Sequence, residues 1–210
     1  MKINREVLKK VRLSGKKLLA VTKYLSAEDT HDFLQNVYPQ YTFCAGIGEN
    51  RIEKIREKAL PRNKVHFIGQ VQSRKIPDIV HYTSVCHSLC HAEHARLFDK
   101  NADRENVRMG VFLQVNISRE PQKSGVLPEE LGSLIVAARS CDHLDILGIS
   151  ALGVGEYTEK EKRKEFRELC ALRDTFLPDK EISAGTSRDY CIALEEGIDI
   201  VRIGTALWEY

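Results

Sequence analysis

Lys23 closes the apolar run Leu18-Leu19-Ala20-Val21-Thr22. Side chains alternate along an extended strand, so Leu19, Val21 and Lys23 share a face. A lysine at the mouth of an apolar interior is partly desolvated, gives up its proton readily and can condense with an aldehyde as a Schiff base. A solvated lysine that ends a strand is the plainer alternative. Two later segments could hold an anion: Ser183-Ala184-Gly185-Thr186-Ser187, and Gly204-Thr205-Ala206 after Val201-Arg202-Ile203. Small residues, hydroxyls and backbone N–H groups beside a helix start suit a phosphate dianion. The same residues also serve as turn glycines and helix N-caps. Arg202, two residues before Gly204, shares a strand face with that loop and either points at the ligand volume or joins an ion pair inside the fold.

Strands must present these groups. Eight short apolar runs, at residues 18–23, 41–45, 65–68, 83–87, 110–117, 144–149, 181–183 and 199–203, alternate with stretches of helical length and period at 26–36, 49–59, 92–100, 128–140, 158–176 and 187–196. A further helix is expected at 5–13. The alternation predicts parallel pairing through right-handed crossovers, an α/β chain folded as a single-domain TIM-type (β/α)8 barrel with an extra N-terminal helix. An open doubly wound sheet with fewer strands is the other arrangement. In a barrel the ligand sits at the carboxyl ends of the strands, and the loops after strands seven and eight commonly bind phosphate. Those are the two loops singled out above.

Composition narrows the function. A chain of 210 residues can bury roughly 70% of its unfolded surface in one core. Thirty-two basic against thirty acidic residues give a net charge of +2, which provides no field for a polyanion, so nucleic acid is not an expected partner. The N-terminus has no apolar leader and no run reaches about 18 apolar residues, which predicts a cytoplasmic protein without a membrane partner. The six cysteines lack paired spacing and read as free thiols. Cys86-His87-Ser88-Leu89-Cys90-His91-Ala92-Glu93-His94 groups possible ligands, but no second cluster completes a zinc site, so no metal is expected. Gly46-Ile47-Gly48 is too short for a dinucleotide fingerprint. Glu49 reads as a helix cap, and residues 66–75 as a polar loop.

Six blocks together resemble a known family. Ala20-Val21-Thr22-Lys23, Gly48-Glu49-Asn50-Arg51, His66 through Lys75, Gln114-Val115-Asn116-Ile117 with Lys123-Ser124-Gly125, Ser183 through Ser187, and Val201 through Ala206 occur in the order seen in the pyridoxal phosphate homeostasis proteins, the YggS-like or proline synthase co-transcribed family. The resemblance covers residues 16–208. It implies a barrel of the alanine racemase N-terminal type (fold type III) that binds pyridoxal 5′-phosphate as a Schiff base on Lys23. It places Ser183, Gly185, Ser187, Gly204 and Thr205 at the phosphate, Arg202 near the pyridine nitrogen, and Asn50 and His66 in the pocket wall. Ser150, Cys90, Ala184 and Thr186 depart from the residues common in the family.

The resemblance also implies a role in intracellular pyridoxal phosphate homeostasis, as a carrier or buffer serving pyridoxal-phosphate-dependent apo-enzymes and linked to amino-acid and keto-acid balance. A monomer is expected. With five residues after Thr205, a closing eighth helix is nearly absent and the N-terminal helix is expected to cover its place. An arginine beside the pyridine nitrogen cannot readily donate a proton. Racemases of this type also take a second base from another domain, for which the chain has no residues. Binding without appreciable turnover is therefore expected. A small racemase or lyase, assisted by Tyr24, Tyr82, Tyr157 or Cys90, is the alternative, and a generic phosphate-sugar barrel is a third.

Overall fold

Asn4 begins the first helix by accepting from the backbone N–H groups of Glu6 and Val7, which satisfies donors that a helix start leaves unpaired. That helix, α1 (Arg5–Leu13), follows a two-residue strand, β1 (Lys2–Ile3), and buries Val7, Leu8 and Val11. Of the chain, residues 2–152 and 157–209 are described in the computed structural model.

Eight strands follow: β2 (Lys17–Val21), β3 (Cys44–Glu49), β4 (Val65–Phe67), β5 (Val85–Leu89), β6 (Met109–Val115), β7 (Leu144–Ala151), β8 (Glu181–Ser183) and β9 (Ile200–Ile203). They pair in parallel in chain order, and β9 returns to β2 to close a barrel. The expected (β/α)8 barrel is therefore the observed one, and the open sheet is excluded. The helices between strands are α2 (Ala27–Asp32), α3 (Ile52–Glu57), α4 (Ile76–Tyr82), α5 (Ala92–Arg104), α6 (Leu131–Arg139), α7 (Glu159–Phe176) and α8 (Tyr190–Glu195). After β9 the chain turns into β10 (Trp208–Glu209), antiparallel to β1. Val7, Leu8 and Val11 of α1 join Leu207 and Trp208 in the main core, and the Trp208 indole donates to the Val21 carbonyl at 2.7 Å.

That main core lies between the strands and the helices. A second, smaller cluster of Leu19, Phe112 and Ile200 fills part of the barrel interior. Ile68, Val85 and Leu147 pack against it, and beside them His66, His87, Ser150, Ser183 and Arg202 are buried, where barrels of this kind normally stack branched aliphatic residues.

Three elements differ from expectation. The second strand runs from Cys44 to Glu49, so Gly46-Ile47-Gly48-Glu49 is strand and not loop. Glycine is needed at Gly46, where φ is +154° and a Cβ would stand 2.7 Å from the Lys64 carbonyl oxygen. Helix α4 has no counterpart among the expected stretches, although Ile76, Ile79 and Val80 bury one face of it. The segment at 187–196 begins with a turn and is helical only from Tyr190. Residues 66–75 are solvated in part: Gln70 and residues 72–74 are exposed, whereas His66 and Phe67 lie in β4 and Val71 is buried.

Candidate functional site

Strand alternation survives the end of β2. Leu19 faces the interior cluster, Val21 lines a pocket above it, and half-buried Lys23, in the turn two residues past the strand, lines the same pocket. The pocket is about 390 Å³ and opens at the carboxyl ends of the strands, within the usual range for small-molecule sites. Its walls come from the segments after β2 (Lys23, Tyr24), β3 (Asn50), β4 (Ile68, Gly69), β7 (Leu152), β8 (Thr186, Ser187, Arg188) and β9 (Gly204, Thr205), with Arg202 from β9 itself. The Lys23 amine stands 4.8 Å from the centre of the Tyr24 ring.

The turn that carries Lys23 is held from beneath by a buried ion pair. Lys58 Nζ lies 2.6 Å from Glu49 Oε1 and donates to the Thr22 carbonyl at 2.8 Å, while the Thr22 hydroxyl donates to the same Glu49 oxygen at 2.7 Å. Glu49 is fully buried at the end of β3, so it is not the helix cap expected from the sequence, and its Oε2 has no partner among the described residues. Lys58, at the end of α3, had no sequence signal, because helical spacing says nothing of a side chain that turns inward after the last turn.

Arg202 is 7% exposed, and its guanidinium donates to the Ala151 carbonyl. Burial pulls its pKa down to about 10, with the Asp189 charge acting in the opposite sense, so it remains a cation at neutral pH. No carboxylate pairs with it among the described residues, which disposes of the interior ion pair as its role. No acidic side chain among the described residues lines the pocket. Its charge balance is therefore positive.

The two candidate phosphate loops are tied together. Ser187 Oγ accepts from the N–H groups of Gly204 and Ala206 at 3.2 and 3.1 Å. Buried Asp189 accepts from the backbone N–H and the hydroxyl of Thr186, which fixes the first loop. The backbone N–H groups of Ser187, Arg188 and Thr205 make no hydrogen bond among the described residues and remain as donors at the pocket wall. Loop donors without partners beside the cations Lys23, Arg188 and Arg202 suit an anion.

Six of the nine residues picked from the sequence thus meet in one pocket: Lys23, Asn50, Ser187, Arg202, Gly204 and Thr205. Three lie elsewhere. Ser183 is fully buried at the end of β8, bonded to His87. Gly185 sits behind the loop, with φ +78°, and a Cβ there would stand 2.6 Å from that of Ala193. His66 borders a separate cavity of about 310 Å³ at the amino-terminal end of the barrel, with Lys17, Phe43, Phe112 and Glu181. Of the four candidate second bases only Tyr24 lines the pocket. Tyr82 packs against His81, Tyr157 donates to Glu120, and Cys90 is buried, which raises its thiol pKa. The described cysteines are free, and no His, Cys, Asp or Glu cluster among the described residues could hold a metal.

A closed parallel barrel with a cationic pocket at its carboxyl end, walled by paired loops after strands seven and eight, defines a small-molecule-binding (β/α)8 protein. Comparison with known proteins sharpens this. Residues 1–210 match the family described as alanine racemase, N-terminal domain. A pyridoxal phosphate homeostasis protein of Aquifex aeolicus is 30% identical over 201 residues, covering 91% of this chain and 86% of its own. One from Caenorhabditis elegans is 30% identical over 212 residues, covering 91% and 84%. The chain belongs to the alanine racemase N-terminal domain family, and within it to the pyridoxal phosphate homeostasis proteins. Among solved structures, a protein of unknown function from Bifidobacterium adolescentis superposes with a TM-score of 0.84 at 25% identity over 97% of this chain and 92% of that one. PipY of Synechococcus elongatus with PLP bound gives 0.78 at 22%, over 97% and 100%. An alanine racemase of Clostridium difficile gives 0.75 at 13%, over 98% of this chain but 59% of its own.

Proposed function

We propose that this protein binds pyridoxal 5′-phosphate and acts in its intracellular homeostasis, as a carrier or buffer of the cofactor. The observation that carries this reading is the convergence of the Lys23 amine and the buried Arg202 cation on a pocket whose paired loops offer free N–H donors. The residues fit the cofactor. Ser187, Thr205 and the loop N–H groups would hold the phosphate, Arg202 would face the ring, Asn50 would line the ring's side, and Lys23 would hold the aldehyde carbon. When bound, the cofactor supplies an aldehyde that condenses reversibly with an amine. Relatives that share the proposed role carry it in their names.

Binding without appreciable turnover is part of the same proposal. Arg202 keeps its proton at neutral pH and offers a ring nitrogen none, so the electron sink needed for carbanion chemistry stays weak. Tyr24, the one candidate second base at the pocket, is 64% exposed with its ring against Lys23. We place the protein in the cytoplasm as a monomer that hands cofactor to apo-enzymes. No helix among the described residues is long and apolar enough to cross a membrane.

The test is a visible spectrum of the purified protein with pyridoxal 5′-phosphate, followed by borohydride reduction and peptide mass analysis. A cofactor band that Lys23→Ala lacks, with the reduced label on the peptide containing Lys23, is expected. A label elsewhere refutes the assignment. Exchange of amino-acid α-hydrogens with deuterated solvent, above the Lys23→Ala background, would establish turnover and favour the racemase or lyase.

A further inference from the structure

Arg188 lines the pocket from an exposed position, and among the described residues its side chain makes no hydrogen bond or ion pair. Arginines on the outer helices and strands are employed otherwise: Arg163 and Arg167 pair with Glu196, and Arg108 pairs with Asp145. The backbone that carries Arg188 is fixed on both sides. Ser187 Oγ accepts from the N–H groups of Gly204 and Ala206, and Asp189 accepts from the N–H and hydroxyl of Thr186. The adjacent carboxylate is thus buried and committed to its own loop. A guanidinium on a pinned backbone, at a pocket and with its charge unmatched, is placed to receive an anion.

The same pocket presents two other kinds of group beside this cation. Tyr24 and Leu152 line it and are 64% and 44% exposed, so apolar surface stands uncovered where a ligand enters. The Lys23 amine lies against that tyrosine, 4.8 Å from the ring centre. Amine, cation and apolar surface therefore meet around one opening. An α-amino acid carries the matching set on a single carbon: an amine that bonds an aldehyde as Lys23 does, a carboxylate for the guanidinium, and a side chain for Tyr24 and Leu152. Arg202 does not serve the carboxylate, since it is buried and donates to the Ala151 carbonyl.

We propose that Arg188 recognises a carboxylate, and that the ligand this pocket fits is the cofactor joined through its aldehyde carbon to the amine of an α-amino acid. Resting on the reading of the pocket as a pyridoxal 5′-phosphate site, this names the second component of its ligand and the residue that selects it. A planar guanidinium grips a carboxylate through two parallel N–H···O bonds, which a single ammonium does not reproduce. Such a site lets the carrier take up cofactor that a free amino acid has already captured.

The test uses stable reduced adducts, in which a carbon–nitrogen single bond joins the cofactor to its partner, so binding needs no chemistry at Lys23. Phosphopyridoxyl-leucine and phosphopyridoxyl-isoamylamine differ only in the carboxylate. Titration calorimetry gives the affinity of each for the cofactor-free protein. Wild type should prefer the leucine adduct by about tenfold or more, the size of a hydrogen bond between charged groups. Arg188→Gln should bring the two within about threefold of each other. Equal affinities in the wild type overturn the proposal, and that comparison needs no variant. An equal loss for both adducts in Arg188→Gln overturns it as well, because the guanidinium would then act on the part the two share. If the wild type binds neither adduct, the reading of the pocket fails and the proposal with it, an outcome distinct from equal binding of both.

Discussion

The two ends of the barrel carry cavities of similar size, about 390 Å³ at the carboxyl end and about 310 Å³ at the amino end, yet they differ in how charge is compensated. At the amino end the cation, Lys17, is paired with Glu181, and both are substantially exposed. At the carboxyl end no carboxylate among the described residues pairs with Lys23 or Arg202; buried Asp189 is committed to Thr186, and buried Glu49 to Lys58 below the pocket floor. Volume does not distinguish a binding site here. Uncompensated positive charge beside unpaired N–H groups does.

Four experiments can break or sharpen this contrast. The largest effect should come from the compensated pair beneath the site. Lys58 and Glu49 are 4% and 0% exposed, so Lys58→Met leaves a buried carboxylate alone and should destabilise the protein by about 3–5 kcal/mol. That is a fall of roughly 6–20 °C in Tm by calorimetry for a domain of this size. The paired replacement Glu49→Leu with Lys58→Met should recover much of it. A double-variant loss equal to the sum of the losses in Lys58→Met and Glu49→Leu alone would show that the pair has no coupling.

The buried histidines set the next effect. Burial holds the folded pKa of His66 near 4, below its ordinary 6.5, so between those values the unfolded chain binds the proton and the folded one does not. Stability should be complete above about pH 6.5 and decline as pH falls toward 4, with a slope near 1.4 kcal/mol per pH unit for this group. His66→Gln should flatten the profile of denaturant midpoints in that window. An unchanged slope would mean that the ring is charged in the folded state.

At the uncompensated end, Arg202→Met removes a buried cation held by one hydrogen bond to Ala151. Affinity for pyridoxal 5′-phosphate, measured by titration, should fall about tenfold, or 1.4 kcal/mol. The Tm should fall far less than for Lys58→Met, since no charged partner is stranded. A Tm loss equal to that of Lys58→Met would erase the distinction between the two cations. The smallest effect belongs to the amino end. Glu181→Gln should change stability by less than about 1 kcal/mol, as exposed pairs do, and leave cofactor binding untouched.

Much of this architecture was legible from periodicity. Arg5–Leu13 and Glu181–Ser183 fall where the sequence places them; Val7, Leu8 and Val11 mark the apolar face of the first, and the second is placed by the alternation of strand and helix. Strand β3 starts later than expected because glycines signal turns in sequence, whereas here Gly46 makes room for the Lys64 backbone and Gly48 for the Leu19 and Ile68 side chains. Helix α4 escapes a reading by periodicity because two turns with an early proline leave little period to read. At the site, Lys23, Ser187, Arg202, Gly204 and Thr205 were readable, since strand alternation and loop position place them. Ser183, Gly185 and His66 follow the same sequence blocks but point elsewhere, which a linear motif cannot encode. The Glu49–Lys58 pair was invisible, because it depends on how α3 ends against β2.

The indole of Trp208, the chain's single tryptophan, donates to the Val21 carbonyl and meets Phe33 edge-on at 5.3 Å. One residue, Thr22, separates Val21 from Lys23 at the mouth. The protein therefore has an intrinsic fluorophore fastened to the base of its own binding turn, with emission in the near ultraviolet where a pyridoxal adduct absorbs. Loading and release of cofactor can be followed in real time as quenching of one lamp, without a label and without disturbing the barrel.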